Sequence, residues 1–405
     1  MNKILKYCLL IYAFSIISSC STEKNKWLNK GYHRMTARYN GYFNANEKIK
    51  ESITNFRSQF KDDYTKILPV YIYADQETAP SLNTDMDKAI EKTSRVIKRH
   101  SMPSGEKNSQ KKEEWNKWID DNWLLMGQAY FYKRTFDDAM ARFEYCYNVY
   151  KESTIFYDAQ LWMARTHMET GNMIEAQRWL DKMETKQKED EEKANAKKEN
   201  DKSSKKPTTK SKSKSSKSKK KSGSSKSKKT SSKKVETPPF PHYLKADLAA
   251  TYADYYIRKK DYDRAIEQLE KAIKNVKKKR VKARYTFILA QLQQEKGRGD
   301  DAMNTYAEVL KLNPTFEMEF YSRINRALLY SGGDSKGLRA ELMKLLKDTK
   351  NKEYFDQIFY ALAEIEFKQP DKEQGISYLQ KSIEASISNN KQKGKTYLRL
   401  GEVYF

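Results

Sequence analysis

A repeated pairing of small and large residues constrains the fold of this chain more than any other feature of the sequence. The copy that begins at Trp123 reads WLLMGQAYFYKRTFDDAMARFEYCY, with Gly127, Tyr130, Ala139 and Phe143 at fixed offsets from its first residue. Glycine and alanine let two helices approach closely, while the large side chains fill the space between the helices. This copy therefore predicts a helical hairpin, and its recurrence predicts a stack of hairpins.

The same spacing returns along the rest of the chain. The interval from Ala139 to Ala176 is 37 residues, and the interval from Ala265 to Ala302 is also 37 residues. The positions that recur in the later copies are Ala176, Ala253, Tyr256, Ala265, Ala290, Ala302 and a closing Pro314. The pattern resembles the tetratricopeptide repeat, a helix–turn–helix unit. We therefore predict an all-α fold, a tetratricopeptide-like superhelical solenoid.

A weaker fifth copy and a sixth copy follow, and the chain ends in TYLRLGEVYF, which matches the first helix of a seventh repeat. A first helix without its second leaves an apolar face uncovered. Because repeat arrays normally end in a capping helix with a polar outer face, we expect this sequence to be the N-terminal part of a longer protein.

A Lys/Ser-rich insert interrupts the array over residues 186–236. Its stretch from Lys202 to Lys234 contains 15 lysines and no acidic residue, against a net charge of +25 for the whole chain. With almost nothing to bury, such a segment cannot offset the entropy lost on ordering, so we expect the insert to be disordered. It is either a solvated linker or an electrostatic tether to something anionic, and the composition favours the linker.

The first 19 residues have the layout of a secretory signal. The apolar run from Tyr7 to Ile17 is too short to span a bilayer as a stable helix. Ile17-Ser18-Ser19-Cys20 resembles the lipobox of bacterial lipoproteins, whose cysteine receives the lipid before cleavage. We predict lipidation of Cys20 and an outer-membrane location, because Ser21 and not aspartate follows. The alternative is an ordinary secretory signal with a chance cysteine.

These features divide the chain into five regions. Between the signal and the repeats, TKILPVYIYAD is expected to be extended, because Pro69 excludes a helix interior. NTDMDKAIEKTSRVIKRH is predicted as a helix, with a capping box of Thr84 and Asp87 at its start. The predicted regions are a signal peptide (1–19), a mostly helical N-terminal region (20–118), repeats (119–185), the insert (186–236) and further repeats (237–405).

Few residues are suited to catalysis or metal binding. Once the signal is removed and Cys20 carries lipid, Cys146 is the only cysteine left, which excludes an internal disulfide and a cysteine-based zinc site. The paired carboxylates Asp120 and Asp121 fall at a helix start, where they favour the helix dipole. We predict no catalytic residue, metal, cofactor or small-molecule substrate, and therefore a protein that is not an enzyme.

One block near the N-terminus is more specific than the repeats. HRMTARYNGYFNANEKI, followed by KILPVY and AIEKTSRVIKRHSM, resembles the SprE/PorW family of type IX secretion and gliding-motility lipoproteins of Bacteroidetes. The residues that carry the resemblance most specifically are Tyr39, Asn40, Gly41, Tyr42, Phe43, Asn44, Asn46 and Glu47. The resemblance implies a non-enzymatic outer-membrane lipoprotein that faces the periplasm and bridges the ring-and-motor assembly and the translocon. The Lys/Ser insert has no counterpart that we can match to the family.

We therefore expect a lipid-anchored scaffold that holds secretion and gliding components through contacts on the helical array. The expected partners are the ring, motor and translocon proteins, and the membrane through the N-terminal lipid. Nucleic acid is not expected, because the signal directs the chain away from the cytoplasm. The alternative function is a tether to a polyanion, such as nucleic acid or a cell-wall polymer, through Lys202–Lys234.

Overall fold

The computed structural model describes Thr22 and residues 26–103, 114–203 and 237–405. Within these residues the backbone is helical and forms no strand, since its only β-type pairing is an isolated bridge between Pro103 and Glu114. Helical hairpins follow one another along the chain, which confirms the predicted all-α, tetratricopeptide-like solenoid. The predicted signal peptide, Cys20 and residues 204–236 of the insert lie outside the described residues.

The chain divides into two compact units. The first unit is Met1–Ser58 with Ala74–His242, and the second is Gln59–Tyr73 with Tyr243–Phe405. A short segment therefore leaves the first unit, joins the second and returns. The five regions drawn from the sequence stay a prediction, and the two units cut the chain at different places.

The described helices of the first unit lie between Trp27 and Ser203. They are α1 (Trp27–Thr36), a π-helix (Ala37–Phe43), α2 (Asn44–Gln59), α3 (Pro80–His100), α4 (Ile119–Tyr132), α5 (Phe136–Val149), α6 (Ile155–Glu169) and α7 (Met173–Ser203). Helices α4 and α5 form one hairpin, α6 and α7 form a second, and α3 packs on α4. The start predicted for α3 was wrong: the helix begins at Pro80, because proline is well suited to the first helical turn, and Thr84 lies one turn inside.

Gly127 sets the separation of α4 and α5. A Cβ atom added at this position would lie 2.5 Å from Cε1 of Phe143, a distance that real Cβ atoms essentially never show. Phe143 and Ala139 are fully buried beside it. A small residue is therefore needed at this helix crossing, because any side chain at position 127 would collide with the Phe143 ring.

The helix at the N-terminus of the first unit runs without a break from α1 through the π-helix into α2. Its inward-facing residues are spaced by four, and they are Asn29, His33, Ala37, Gly41, Ala45 and Ile49. In an α-helix a step of four residues overshoots a full turn by about 40°. The wider turns of the π-helix return the following residues to the buried side.

Helix α7 corrects the predicted extent of the insert. Residues 186–203 were expected to be disordered, but α7 continues through them to Ser203. Ion pairs one helical turn apart join Lys188 to Glu184 (3.2 Å) and Lys186 to Asp190 (2.8 Å), and such pairs stabilise an exposed helix. Asp190 also accepts a hydrogen bond from the backbone N–H of Phe240 at 2.8 Å, a contact that sequence reasoning missed.

The second unit continues the hairpin pattern. Its α-helices are α8 (Lys245–Arg258), α9 (Tyr262–Asn275), α10 (Lys279–Glu295), α11 (Gly299–Leu310), α12 (Phe316–Leu328), α13 (Lys336–Lys347), α14 (Phe355–Phe367), α15 (Lys372–Ala385) and α16 (Asn390–Tyr404). Side chains before four of these helices accept a backbone N–H of the first turn, which is the usual function of an N-cap residue. The capping residues are Asp261, Thr315, Asp371 and Asn389.

Candidate protein-binding groove

The segment Gln59–Tyr73, which we call the resident segment, lies along the first helices of the hairpins in the second unit. Near its C-terminal end, the Tyr71 hydroxyl lies 3.2 Å from the Asp247 carbonyl and 3.1 Å from Thr251 Oγ1 on α8. Near its N-terminal end, Tyr64 stacks on Tyr321 of α12 at 4.4 Å between ring centres and an interplanar angle of 11°. The second unit thus holds a non-helical segment in a groove that α8, α10, α12 and α16 line.

Gln291 of α10 binds the backbone of the resident segment with both ends of its amide. Its Oε1 accepts from the Leu68 N–H at 2.9 Å, and its Nε2 donates to the Lys66 carbonyl at 2.7 Å. Because both bonds go to main-chain atoms, this clamp does not depend on which side chains the segment carries. Main-chain bonds of this kind supply affinity for extended peptides in general.

Arg284, seven residues or about two turns earlier on α10, adds a charged clamp. Its two terminal nitrogens each donate to one oxygen of the Asp62 carboxylate at 2.8 Å, and its Nε donates to the Pro69 carbonyl at 2.9 Å. The bidentate geometry is the strong form of an arginine–carboxylate pair. It joins Asp62 and Pro69, which lie on either side of the turn at residues 64–65.

Apolar and aromatic side chains of the resident segment fill the groove between these polar clamps. Leu68 is 1% exposed and Val70 is 4% exposed. The Tyr64 ring also meets Phe287 edge-on at 5.3 Å, and burial raises the pKa of Tyr64 to about 12. Burial of these side chains is the largest favourable contribution that this segment can make.

A cavity of about 600 Å³ remains beside the N-terminal part of the resident segment. Its lining combines tyrosine rings with amide and ammonium groups, and includes Tyr64, Tyr321, Asn325, Tyr360, Lys391 and Lys395. The Lys391 ammonium reaches Thr65 Oγ1 at 3.2 Å. Desolvation lowers the pKa of Lys395, whose ammonium lies 4.4 Å from the centre of the Tyr360 ring. Such a lining can hydrogen-bond the backbone or the carboxylates of a further peptide segment.

The structure distributes the residues of the YNGYFNANE block over two surfaces of one helix. Gly41 is buried, and a Cβ added there would lie 2.4 Å from Val96 Cγ2. Tyr42 packs inward on Trp118, with 5.3 Å between ring centres. Tyr39 and Phe43 are about half exposed, and the remaining block residues Asn40, Asn44, Asn46 and Glu47 lie on the same helix.

Most of the residues predicted to pack within repeats are buried in the structure. Ala139, Phe143, Ala176, Ala253, Ala265, Ala290 and Ala302 are 0% exposed. Gly127 and Tyr256 are also buried, whereas Trp123, Tyr130 and Pro314 are partly exposed. None of these residues forms the clamp on the resident segment. The clamp residues Arg284, Gln291 and Tyr321 were missed by sequence reasoning. The polar Gln291 in the otherwise apolar run from Phe287 to Leu292 is the signal that could have found the clamp.

Asp121 lies in the first turn of α4, where the sequence predicted a favourable position for acidic residues. Burial and the neighbouring carboxylates of Asp120 and Asp158 raise the pKa of Asp121 to about 7. Since its folded-state pKa exceeds the unfolded value of about 3.9, the ionised carboxylate destabilises the folded unit as the pH rises from 4 through 7.

We expect Asp121→Asn to raise the free energy of unfolding of the first unit by about 2 kcal/mol at pH 8 and by little at pH 4. Urea unfolding at both pH values measures the difference. Asp137→Asn is the matched control, because Asp137 occupies the first turn of α5 and is exposed. An equal effect of the two substitutions at pH 8 would contradict the burial argument.

The described residues form neither a metal site nor a membrane-spanning helix. No group of three or more His, Cys, Asp or Glu side chains in this part of the chain is placed to hold a metal ion. None of the helices described has the length and apolar character needed to cross a membrane. Cys146 is buried between helices, and this burial raises the pKa of its thiol.

Comparison with known proteins agrees with the fold. The model of the tetratricopeptide repeat family matches residues 252–315, which run from α8 to the end of the α10–α11 hairpin. No curated protein matches the chain. Arg284 and Gln291 both lie within the region that matches this family model.

Several solved structures are similar at low sequence identity. One is the C-terminal part of a tetratricopeptide repeat-containing protein from Cytophaga hutchinsonii, with 13% identity, coverage of 78% of this chain and 96% of that chain, and a TM-score of 0.42. Another is a tetratricopeptide repeat protein from Parabacteroides merdae, with 13% identity, coverage of 78% and 92%, and a TM-score of 0.32. Yeast Tom70 is 12% identical, with coverage of 86% and 68% and a TM-score of 0.32.

Proposed function

We propose that this protein is a lipid-anchored scaffold of the type IX secretion and gliding machinery, which binds other proteins through its helical repeats. The observation that carries the binding role is the groove of the second unit. It holds a non-helical segment through the Gln291 clamp on main-chain atoms, through a buried pocket for Leu68 and through the stacking of Tyr64 on Tyr321. A preformed groove loses little conformational entropy when it binds, which favours a scaffold.

The cellular setting is supported by the sequence. Ile17-Ser18-Ser19-Cys20 supplies a lipobox, and the block from Tyr39 to Glu47 resembles the SprE/PorW family. The ring, motor and translocon components of the secretion machinery are the proposed partners, and the periplasmic side of the outer membrane is the proposed location. Stable anchoring by lipid requires more than one hydrocarbon chain, a requirement that lipoprotein processing meets.

Lipidation of Cys20 is tested in cells that express the chain with its own signal. We expect Cys20→Ala to abolish incorporation of a clickable fatty acid and to move the protein out of the outer-membrane fraction, because alanine has no thiol to accept the lipid. Ser21→Ala is the matched control and should keep both. Undiminished labelling of the Cys20→Ala chain would contradict the lipoprotein proposal.

A further inference from the structure

An apolar stripe of large side chains is exposed along the N-terminal helix of the first unit. Its members, which we call the aromatic stripe, are Trp27, Leu28, Tyr32, Met35, Tyr39 and Phe43. Trp27 is 77% exposed, Met35 is 60% exposed and Phe43 is 52% exposed. Single exposed apolar residues are common on protein surfaces, but a contiguous run along one helix marks a surface that meets another apolar phase.

The packing of the opposite face fixes this exposure. The buried side of the helix is held by a 2.8 Å contact between Nδ1 of His33 and Nδ1 of His100. Asn116 Nδ2 donates to the carbonyls of both histidines, at 3.1 and 2.8 Å, and Gly41 packs against Val96. The helix cannot turn the aromatic stripe inward without breaking these contacts.

The charged residues beside the aromatic stripe are all basic. Lys26, Lys30, Arg34 and Arg38 recur every four residues beside it, and no acidic residue occurs between Lys24 and Asn46. Arg34 is bound to the Trp115 carbonyl at 2.8 Å, and the Arg38 guanidinium lies 5.0 Å from the centre of the Tyr39 ring. Aromatic and apolar residues on one face with cations alongside are the pattern of a helix that lies in a membrane–water interface.

We infer that the aromatic stripe binds the surface of a lipid bilayer that carries anionic headgroups, with α1 and the π-helix parallel to the membrane plane. Trp and Tyr place an apolar ring at the acyl boundary and a polar group in the headgroup layer. Lys26, Lys30 and Arg38 supply the complementary charge for anionic lipid. A partner of the stripe must offer an apolar surface for its large side chains and negative charge for these cations. A protein would need acidic residues beside an apolar patch, whereas a bilayer with anionic headgroups supplies both.

This inference extends the lipid-anchored role proposed above but stands on the exposed residues and charges of residues 26–43. Trp27 follows Cys20 by seven residues, so a lipid at Cys20 would hold the stripe within reach of the bilayer and raise its effective concentration there. The stripe would then fix the orientation of the first unit at the membrane, which a flexible lipid tether alone cannot do.

The test is flotation of the lipid-free mature chain from Ser21 to Phe405, which contains every described residue, with vesicles of zwitterionic lipid that contain or lack anionic lipid. We expect binding to anionic vesicles that weakens with salt. Replacing Trp27, Leu28, Met35 and Phe43 by alanine should lower the partition coefficient at least about tenfold.

The control variant carries Ile174→Ala and Ile387→Ala, since these two side chains are 82% and 91% exposed outside the stripe. It should bind as the wild type does, and circular dichroism should show both variants folded. Absence of wild-type binding at low salt, or equal binding by the stripe variant, would overturn the inference. Self-association of the wild type that the stripe variant loses would instead assign the stripe to a second copy. The chain used here lacks Cys20, so these outcomes leave the lipidation test untouched.

Discussion

Leu68→Ala is expected to lower the free energy of unfolding of the second unit by about 2–4 kcal/mol and to expose the resident segment. Leu68 is 1% exposed, and truncating a fully buried leucine removes apolar burial and leaves a cavity. The Gln291 clamp on the Leu68 N–H and the Lys66 carbonyl would remain possible in the variant. The loss of stability therefore measures what apolar burial in the groove contributes.

Denaturant unfolding gives the stability change, and hydrogen exchange locates it. Amides of residues 59–73 should exchange faster in Leu68→Ala, while those of α4 and α5 in the first unit should be unchanged. Leu398→Ala is the matched control, because Leu398 lies in the same unit and is 67% exposed. Slow exchange of residues 59–73 in Leu68→Ala, as in the wild type, would show that the groove does not depend on this side chain.

Phe143→Ala is expected to lower the free energy of unfolding of the first unit by about 3–5 kcal/mol. Phe143 is fully buried between α4 and α5, where its ring stands 5.9 Å from the Trp162 ring and nearly parallel to it. Loss of a buried phenylalanine combines lost burial with a large cavity. Thermal or urea unfolding measures the change. Phe43→Ala, at a half-exposed position of the same unit, should change stability far less.

Gly127→Ala tests the close approach of α4 and α5 separately from the burial of the Phe143 side chain. Gly127→Ala should destabilise the wild type by about 1–3 kcal/mol, because the new Cβ meets the Phe143 ring. In a Phe143→Leu background the same substitution should cost less, since the ring atoms nearest Gly127 are gone. Additive effects of the two substitutions would contradict the steric account of Gly127.

The hairpins could be predicted because their determinants are local in the sequence. Gly127, Ala139 and Phe143 lie within one repeat, and the interval of 37 residues from Ala139 to Ala176 indicates the next repeat. The same reasoning reached α8 to α11, the region that matches the tetratricopeptide family model. Periodicity and small residues at helix crossings are sufficient for this part of the fold.

The groove could not be predicted because its two sides are far apart in sequence. Pro69 indicated that residues near it are not helical, but nothing local shows that Leu68 meets Gln291 or that Asp62 meets Arg284. The continuation of α7 to Ser203 was missed for a different reason. Composition suggested disorder, whereas the spacing of Lys186 and Asp190 by four residues favours a helix. Composition averages over such pairs and hides them.

The proposed function requires the groove of the second unit to bind protein segments of the secretion machinery. The most direct measurement places a photo-crosslinking amino acid at Lys391, which lines the cavity and is exposed, in cells that make the full-length chain. The control position is Lys347, exposed at the end of α13. The account predicts crosslinks from position 391, and not from 347, to ring, motor or translocon components. Identical crosslinks from the two positions, or crosslinks from 391 only within the chain itself, would contradict it.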